Sequence, residues 1–63
     1  MMLDLNMDPY ILLGIINMDL RDYYDSLEEL QEGLNIDLNL LKQKLKNIGY
    51  AYNEKTNQFK AIQ

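Results

Sequence analysis

The stretch SLEELQEGLNIDLNLLKQKL, Ser26 to Leu45, carries the punctuation of two short helices joined by a tight turn. Ser26 and Glu29 have the spacing of a capping box. The serine hydroxyl can accept from the Glu29 N–H, and the glutamate can reach back to the Ser26 N–H. Glu28 and Glu29 also put negative charge at a helix N-terminus, where the backbone dipole favours it. Leu27, Leu30 and Leu34 recur at the three-to-four spacing of a buried helical face. Asn35 can adopt the left-handed conformation that ends a helix, Ile36 fills the turn, and Asp37 caps the next helix. In that helix Leu41, Leu45 and Ile48 point inward, and Gly49 ends it. Helix 2 is therefore expected over 26–35 and helix 3 over 37–48. Gly33 comes too early to be the cap. It is expected to permit close approach of another helix, at a propensity cost of about 1 kcal/mol.

Upstream, DPYILLGIINMDLRDYY is expected to form helix 1 over 8–24, with Asp8 as cap and Pro9 in the first helical position. At 100° per residue Leu12, Ile16, Leu20 and Tyr23 gather into a core stripe. Ile11, Ile15 and Met18 form a second apolar stripe well around the helix, while Gly14, Asn17 and Arg21 make a narrow polar side. Residues 1–7 alternate apolar and polar through MLDLNM, which suits a short strand or an arm. At the far end, YAYNEKTNQFKAI is expected to form a β-hairpin over 50–62. Tyr50 and Tyr52 alternate, NEKTN turns with Asn57 at positive φ, and Phe59 and Ala61 return. The expected fold class is α+β, mostly α. It is a three-helix helix-turn-helix bundle with a C-terminal β-hairpin, winged-helix-like, to which the N-terminal strand can add a third strand.

Sixty-three residues make one domain. A chain this short buries about 60% of its unfolded surface, and such cores seldom supply more than ~3–5 kcal/mol. Cysteine and histidine are both absent, which excludes disulfides and the usual thiolate or imidazole metal sites. An idealised helical core or a partner subunit remains, and the partner subunit is the one expected. Residues 1–37 hold nine acids and one base (−8), whereas residues 38–63 hold five lysines and one acid (+4). Such asymmetry suits nucleic acid at the basic end, an opposite-charge partner, or a solvated surface with no partner. The acidic start MMLDLNMDP lacks the basic region of a signal peptide, and the apolar run Tyr10–Ile16 is far shorter than a membrane span. A cytoplasmic protein is expected.

Two resemblances meet in these residues. Ser26–Leu45 resembles the helix-turn-helix of bacterial winged-helix regulators. There a capped S-x-E-E-L helix runs into a turn, a β-branched residue (Ile36), a capping residue (Asp37) and a second helix. Gln31 departs from the small alanine common at its position, and Asn35 from the common turn glycine. Through NMDPYILL, INMDLRDYY, SLEEL and IGYAYNEKTNQF, nearly the whole chain resembles a small bacterial family catalogued as domain of unknown function 4250. That resemblance implies a stand-alone bacterial protein and brings no catalytic residues with it.

If helix 3 read DNA, its outward side would present Leu38, Asn39, Lys42, Gln43 and Lys46, with Leu40 at the margin. Asn39 and Gln43 suit adenine edges, and Lys42 and Lys46 suit phosphates or guanine. The charge argues otherwise. Duplex affinity comes largely from basic contacts to phosphate, and the isoelectric point is near 4.4. Leu38 and Leu40 suit a protein surface better than a groove. No nucleophile–base constellation can be named and the acids sit at caps or on exposed helix faces, so no enzyme, cofactor or small-molecule substrate is expected. The calcium-loop spacing is absent as well. For Arg21, the ordinary role is an ion pair with Asp25 or Asp22, and for Asn17 a bond to a loop backbone. The functional alternative is a contact to a partner's carboxylate. Tyr23, Tyr50 and Tyr52 are expected in or beside the core. Tyr10 and Tyr24 are expected at an interface, where amphipathic rings are useful. The expected function is a protein-binding module that first binds itself as a homodimer, through Ile11, Ile15 and Met18 or through Leu38 and Leu40. The alternative is a DNA-binding regulator using helix 3 and the hairpin.

Overall fold

The computed structural model describes residues 3–62. Its elements are α1 (Pro9–Asp22), α2 (Leu27–Leu34), α3 (Leu38–Lys46), β1 (Tyr50–Asn53) and β2 (Gln58–Ala61). The fold is mostly helical α+β: three helices followed by an antiparallel hairpin, consistent with a winged-helix-like core. Each helix starts where its cap predicts. The Asp8 carboxylate accepts from the Tyr10 N–H at 2.8 Å, Ser26 Oγ from Glu29 at 3.1 Å, and Asp37 from Leu40 at 3.2 Å. The second half of the capping box differs from expectation. Glu29 Oε2 lies 3.5 Å from the Ser26 hydroxyl, which donates to it. Asn35 ends α2 at φ 54° and ψ 52°, its N–H donating to the Gln31 carbonyl. Gly49 ends the turn after α3 at φ 85°, where a side chain would be strained.

Leu12, Ile16 and Leu20 of α1 meet Leu27 and Leu30 of α2, Leu41 and Leu45 of α3, and Phe59 of β2 in one buried cluster. Leu34, Ile36, Leu38, Ile48, Tyr50 and Tyr52 pack partly buried around it. The hairpin pairs Tyr50 with Ala61, Ala51 with Lys60, Tyr52 with Phe59 and Asn53 with Gln58. The Tyr52 and Phe59 rings lie tilted, with centroids 5.6 Å apart. Thus the hairpin closes the helical core with one aromatic face.

Two tyrosines exchange their expected places. Tyr23, expected in the core stripe, is 74% exposed. The chain leaves the helix there, at φ −126° and ψ −27°, so helical spacing no longer aims its side chain. Tyr24 turns in instead and packs against the core. Its ring lies over Gly33, where an added Cβ would collide with the phenol. The glycine thus makes room for the Tyr24 side chain rather than for another helix. Residues 3–7 form no strand, and the described sheet has two strands. Asp4 organises a turn instead: its carboxylate accepts from the Asn6 N–H at 2.8 Å and its carbonyl from the Met7 N–H at 3.2 Å. Such a side-chain-to-backbone turn competes with strand pairing. Leu3, Leu5 and Met7 still pack against the core. Met1 and Met2, part of the alternating stretch, lie outside the described residues.

Candidate functional site

The outer face of α1 is the first candidate. Tyr10, Ile11 and Met18 are 62%, 59% and 45% exposed, and Ile15 is half-buried at the margin. Between them a Cβ built on Gly14 would meet nothing within 4 Å. Ile11, Ile15 and Met18 lie on the side of the helix away from Leu12, Ile16 and Leu20, and Gly14, expected on the polar side, lies among them. The face is uncharged over two turns. At its C-terminal end the Arg21 guanidinium grips Asp22, with Nε–Oδ1 at 2.9 Å and Nη2–Oδ2 at 3.0 Å. The bidentate bond lowers the Asp22 carboxyl below its usual range and raises the guanidinium. Both groups stand in solvent, so the pair marks the edge of the face rather than anchoring the fold.

Asn17 leaves the polar side expected of it and turns inward. Its Nδ2 donates to the Phe59 carbonyl at 3.1 Å, and its Oδ1 accepts from the Phe59 N–H at 2.7 Å. Gln58 Nε2 donates to the Asn17 carbonyl at 2.9 Å. Next along, Asn57 sits at φ 54° and directs its Nδ2 to the carbonyls of Leu20 and Tyr24, both at 2.9 Å. Its Oδ1 accepts from the Tyr52 hydroxyl at 2.6 Å. Burial pushes that phenol above its usual pKa. The run Asn57-Gln58-Phe59 is thus a polar clasp on α1. Sequence reading placed Asn57 only as a turn residue and did not single out Gln58. Their partners in and just after α1 lie 33 to 41 residues away, and no local spacing signals them.

The second candidate is α3. Asn39, Lys42, Gln43 and Lys46 are exposed together on its outer side, with Leu40 39% exposed beside them. Leu38 is half-buried against the core and is less available than expected for contact. Tyr24 is likewise half-buried. A cavity of about 490 Å³ beside Lys42 is bordered by Asp25, Glu28 and Glu54. A phosphate backbone laid along the N-terminal half of α3 would therefore meet carboxylates. Among the described residues no cluster of His, Cys, Asp and Glu could hold a metal ion. None of the described helices is long and apolar enough to cross a membrane.

The model of a family described as "Domain of unknown function (DUF4250)" matches residues 6–59. That span starts just before the α1 cap and ends on the core residue Phe59, so it covers the helical bundle and its clasp. No curated protein matches, and no solved structure does.

Proposed function

The chain belongs to the domain of unknown function 4250 family, and we propose that it is a non-enzymatic interaction module whose first partner is a second copy of itself. The contact is the outer face of α1. The observation that carries this reading is the exposure of Tyr10, Ile11 and Met18 around an open Gly14 on one uncharged helix face. A missing Cβ lets two helix backbones approach closely. In an antiparallel two-fold pairing centred on Gly14, Tyr10 of one copy stands opposite Met18 of the other, four residues either side of the axis. Aromatic–thioether contacts of that kind are favourable, and an isologous surface must be self-complementary in this sense. A standard interface buries about 800 Å² per partner, close to a fifth of the 4528 Å² surface. One helix face offers less, so the dimer is weak and concentration-dependent.

Sedimentation velocity across a concentration series tests the reading. The wild type is expected to shift from monomer to dimer, and Ile11→Asp to remain a folded monomer. Ile15→Asp should act likewise, but Ile15 is half-buried, so Ile11 is the cleaner site. A wild type that stays monomeric at high micromolar concentration overturns the proposal.

The second reading, a DNA-binding regulator, draws on the joint exposure of Asn39, Lys42, Gln43 and Lys46 on α3. Asp25, Glu28 and Glu54 around Lys42 weigh against it. Steeply salt-dependent binding to mixed-sequence duplex, lost in Lys42→Ala with Lys46→Ala, would support it.

A further inference from the structure

We propose that the free edge of β1, with the groove between it and α3, docks an extended acidic peptide segment of a partner protein. The hairpin has two edges, and the molecule treats them differently. In an antiparallel ladder, hydrogen-bonded pairs alternate with non-bonded ones. The Ile62 N–H donates to the Gly49 carbonyl at 2.7 Å. The register therefore makes Ala51–Lys60 and Asn53–Gln58 the next bonded pairs, with the backbone groups of Tyr50, Tyr52 and Phe59 directed outward. The position of Asn17 agrees, because it takes both outward groups of Phe59. On β2 the edge is thus filled by a side chain from α1. On β1 the N–H and C=O of Tyr50 and Tyr52 have no partner among the described residues. Four such groups in sequence are the template on which an added strand forms.

The groove beside that edge says what the strand carries. A cavity of about 340 Å³ is lined by Tyr50, Tyr52, Phe59 and the exposed Ile62, and by Lys42 and Lys46 of α3. Among the described residues neither lysine has a carboxylate within ion-pair distance. One helical turn separates them, a rise of about 6 Å. Side chains on one face of a strand repeat at about 6.6 Å, so carboxylates at alternate positions can answer both lysines. The intervening apolar side chains lie on the other face of the added strand, the face of Ala51. Asp25, Glu28 and Glu54 border the neighbouring cavity, which shares Lys42 and Tyr52 with this one, and none of the three lines the groove itself. A short acidic strand therefore fits where a long duplex would reach the carboxylates. A second copy pairing through its own β1 does not fit, because Tyr-Ala-Tyr-Asn brings no negative charge to the lysines.

The test is a titration of isotope-labelled protein with a blocked hexapeptide alternating Glu and Val, beside its Lys–Val counterpart. The Glu–Val peptide is expected to shift the Tyr50 and Tyr52 amides and slow their hydrogen exchange, while the already paired Ala51 and Asn53 change little. Lys42→Glu combined with Lys46→Glu should weaken binding about tenfold or more through loss of charge-assisted contacts. Both side chains are exposed, so the variant keeps the wild-type spectrum elsewhere. Three results overturn the proposal: no binding at millimolar peptide, equal binding of the Lys–Val peptide, or binding that leaves the exchange of Tyr50 and Tyr52 unaltered. None depends on self-association through α1.

Discussion

The side-chain amide of Asn17 meets the backbone of Phe59 with both of its ends, Nδ2 on the carbonyl at 3.1 Å and Oδ1 on the N–H at 2.7 Å. An amide has the donor and acceptor of a peptide unit side by side. Asn17 therefore stands in for one residue of a neighbouring strand, and a helix occupies the edge that a third strand would otherwise pair with.

Asn17→Ala should cost about 1–3 kcal/mol, since it strands a partly buried N–H and C=O together. In a domain of this size that is a large share of the total stability. A lowered urea midpoint with an unchanged slope is the expected result, with faster amide exchange at Phe59. An unshifted midpoint would mean that water replaces the amide at no cost.

At Asn57 two contributions can be separated. Asn57→Gly keeps φ 54° accessible and removes only the bonds to Leu20, Tyr24 and Tyr52. Asn57→Ala removes those bonds and adds left-handed strain of about 1–2 kcal/mol. Thermal melts should rank wild type above Gly and Gly above Ala. Equal losses for the two variants would show that the conformation contributes nothing beyond the bonds.

Two helical glycines should respond with opposite signs. Gly14→Ala fills open space and should stabilise the monomer by about 1 kcal/mol through helix propensity. It should also weaken the dimer proposed above. Gly33→Ala drives a methyl into the Tyr24 ring and should destabilise the fold. In a Tyr24→Ala background the sign at position 33 should reverse. A double-mutant cycle on denaturant midpoints measures this coupling.

Alkaline pH should loosen the clasp. Burial raises the Tyr52 phenol above its usual pKa of 10.0, so the folded state holds this proton more tightly than the unfolded chain. That contribution is complete below pH 10 and falls as pH rises through the folded value. A phenolate would also face Asn57 Oδ1, an acceptor with no proton to offer. Tyr52→Phe should remove this part of the alkaline decline in stability. Parallel pH profiles for the two proteins would contradict it.

The helix boundaries were legible because each cap acts over three residues or fewer: Asp8 on Tyr10, Ser26 on Glu29, Asp37 on Leu40. The core stripes followed from helical spacing and failed only at Tyr23, where the helix had already ended. What stayed hidden was contact at a distance. Asn17 gave no sequence sign that it would meet Phe59 rather than a loop, and nothing near Gly33 named Tyr24 as its neighbour. Period-two alternation suggested a strand before α1, but a local turn at Asp4 won. On α3 the exposed set is visible in the sequence. The carboxylates beside Lys42 are not, because Asp25 and Glu54 arrive from other elements.

The clasp between α1 and the hairpin joins positions 42 residues apart, Asn17 with Phe59. Helices and their turns can flicker into shape as soon as their own residues exist, but this closure must wait for the chain beyond position 56. Bringing the two ends of such a segment together carries an entropic cost of roughly 3 kcal/mol. Until that cost is met, the helices carry an apolar side that Phe59 and the clasp do not yet cover.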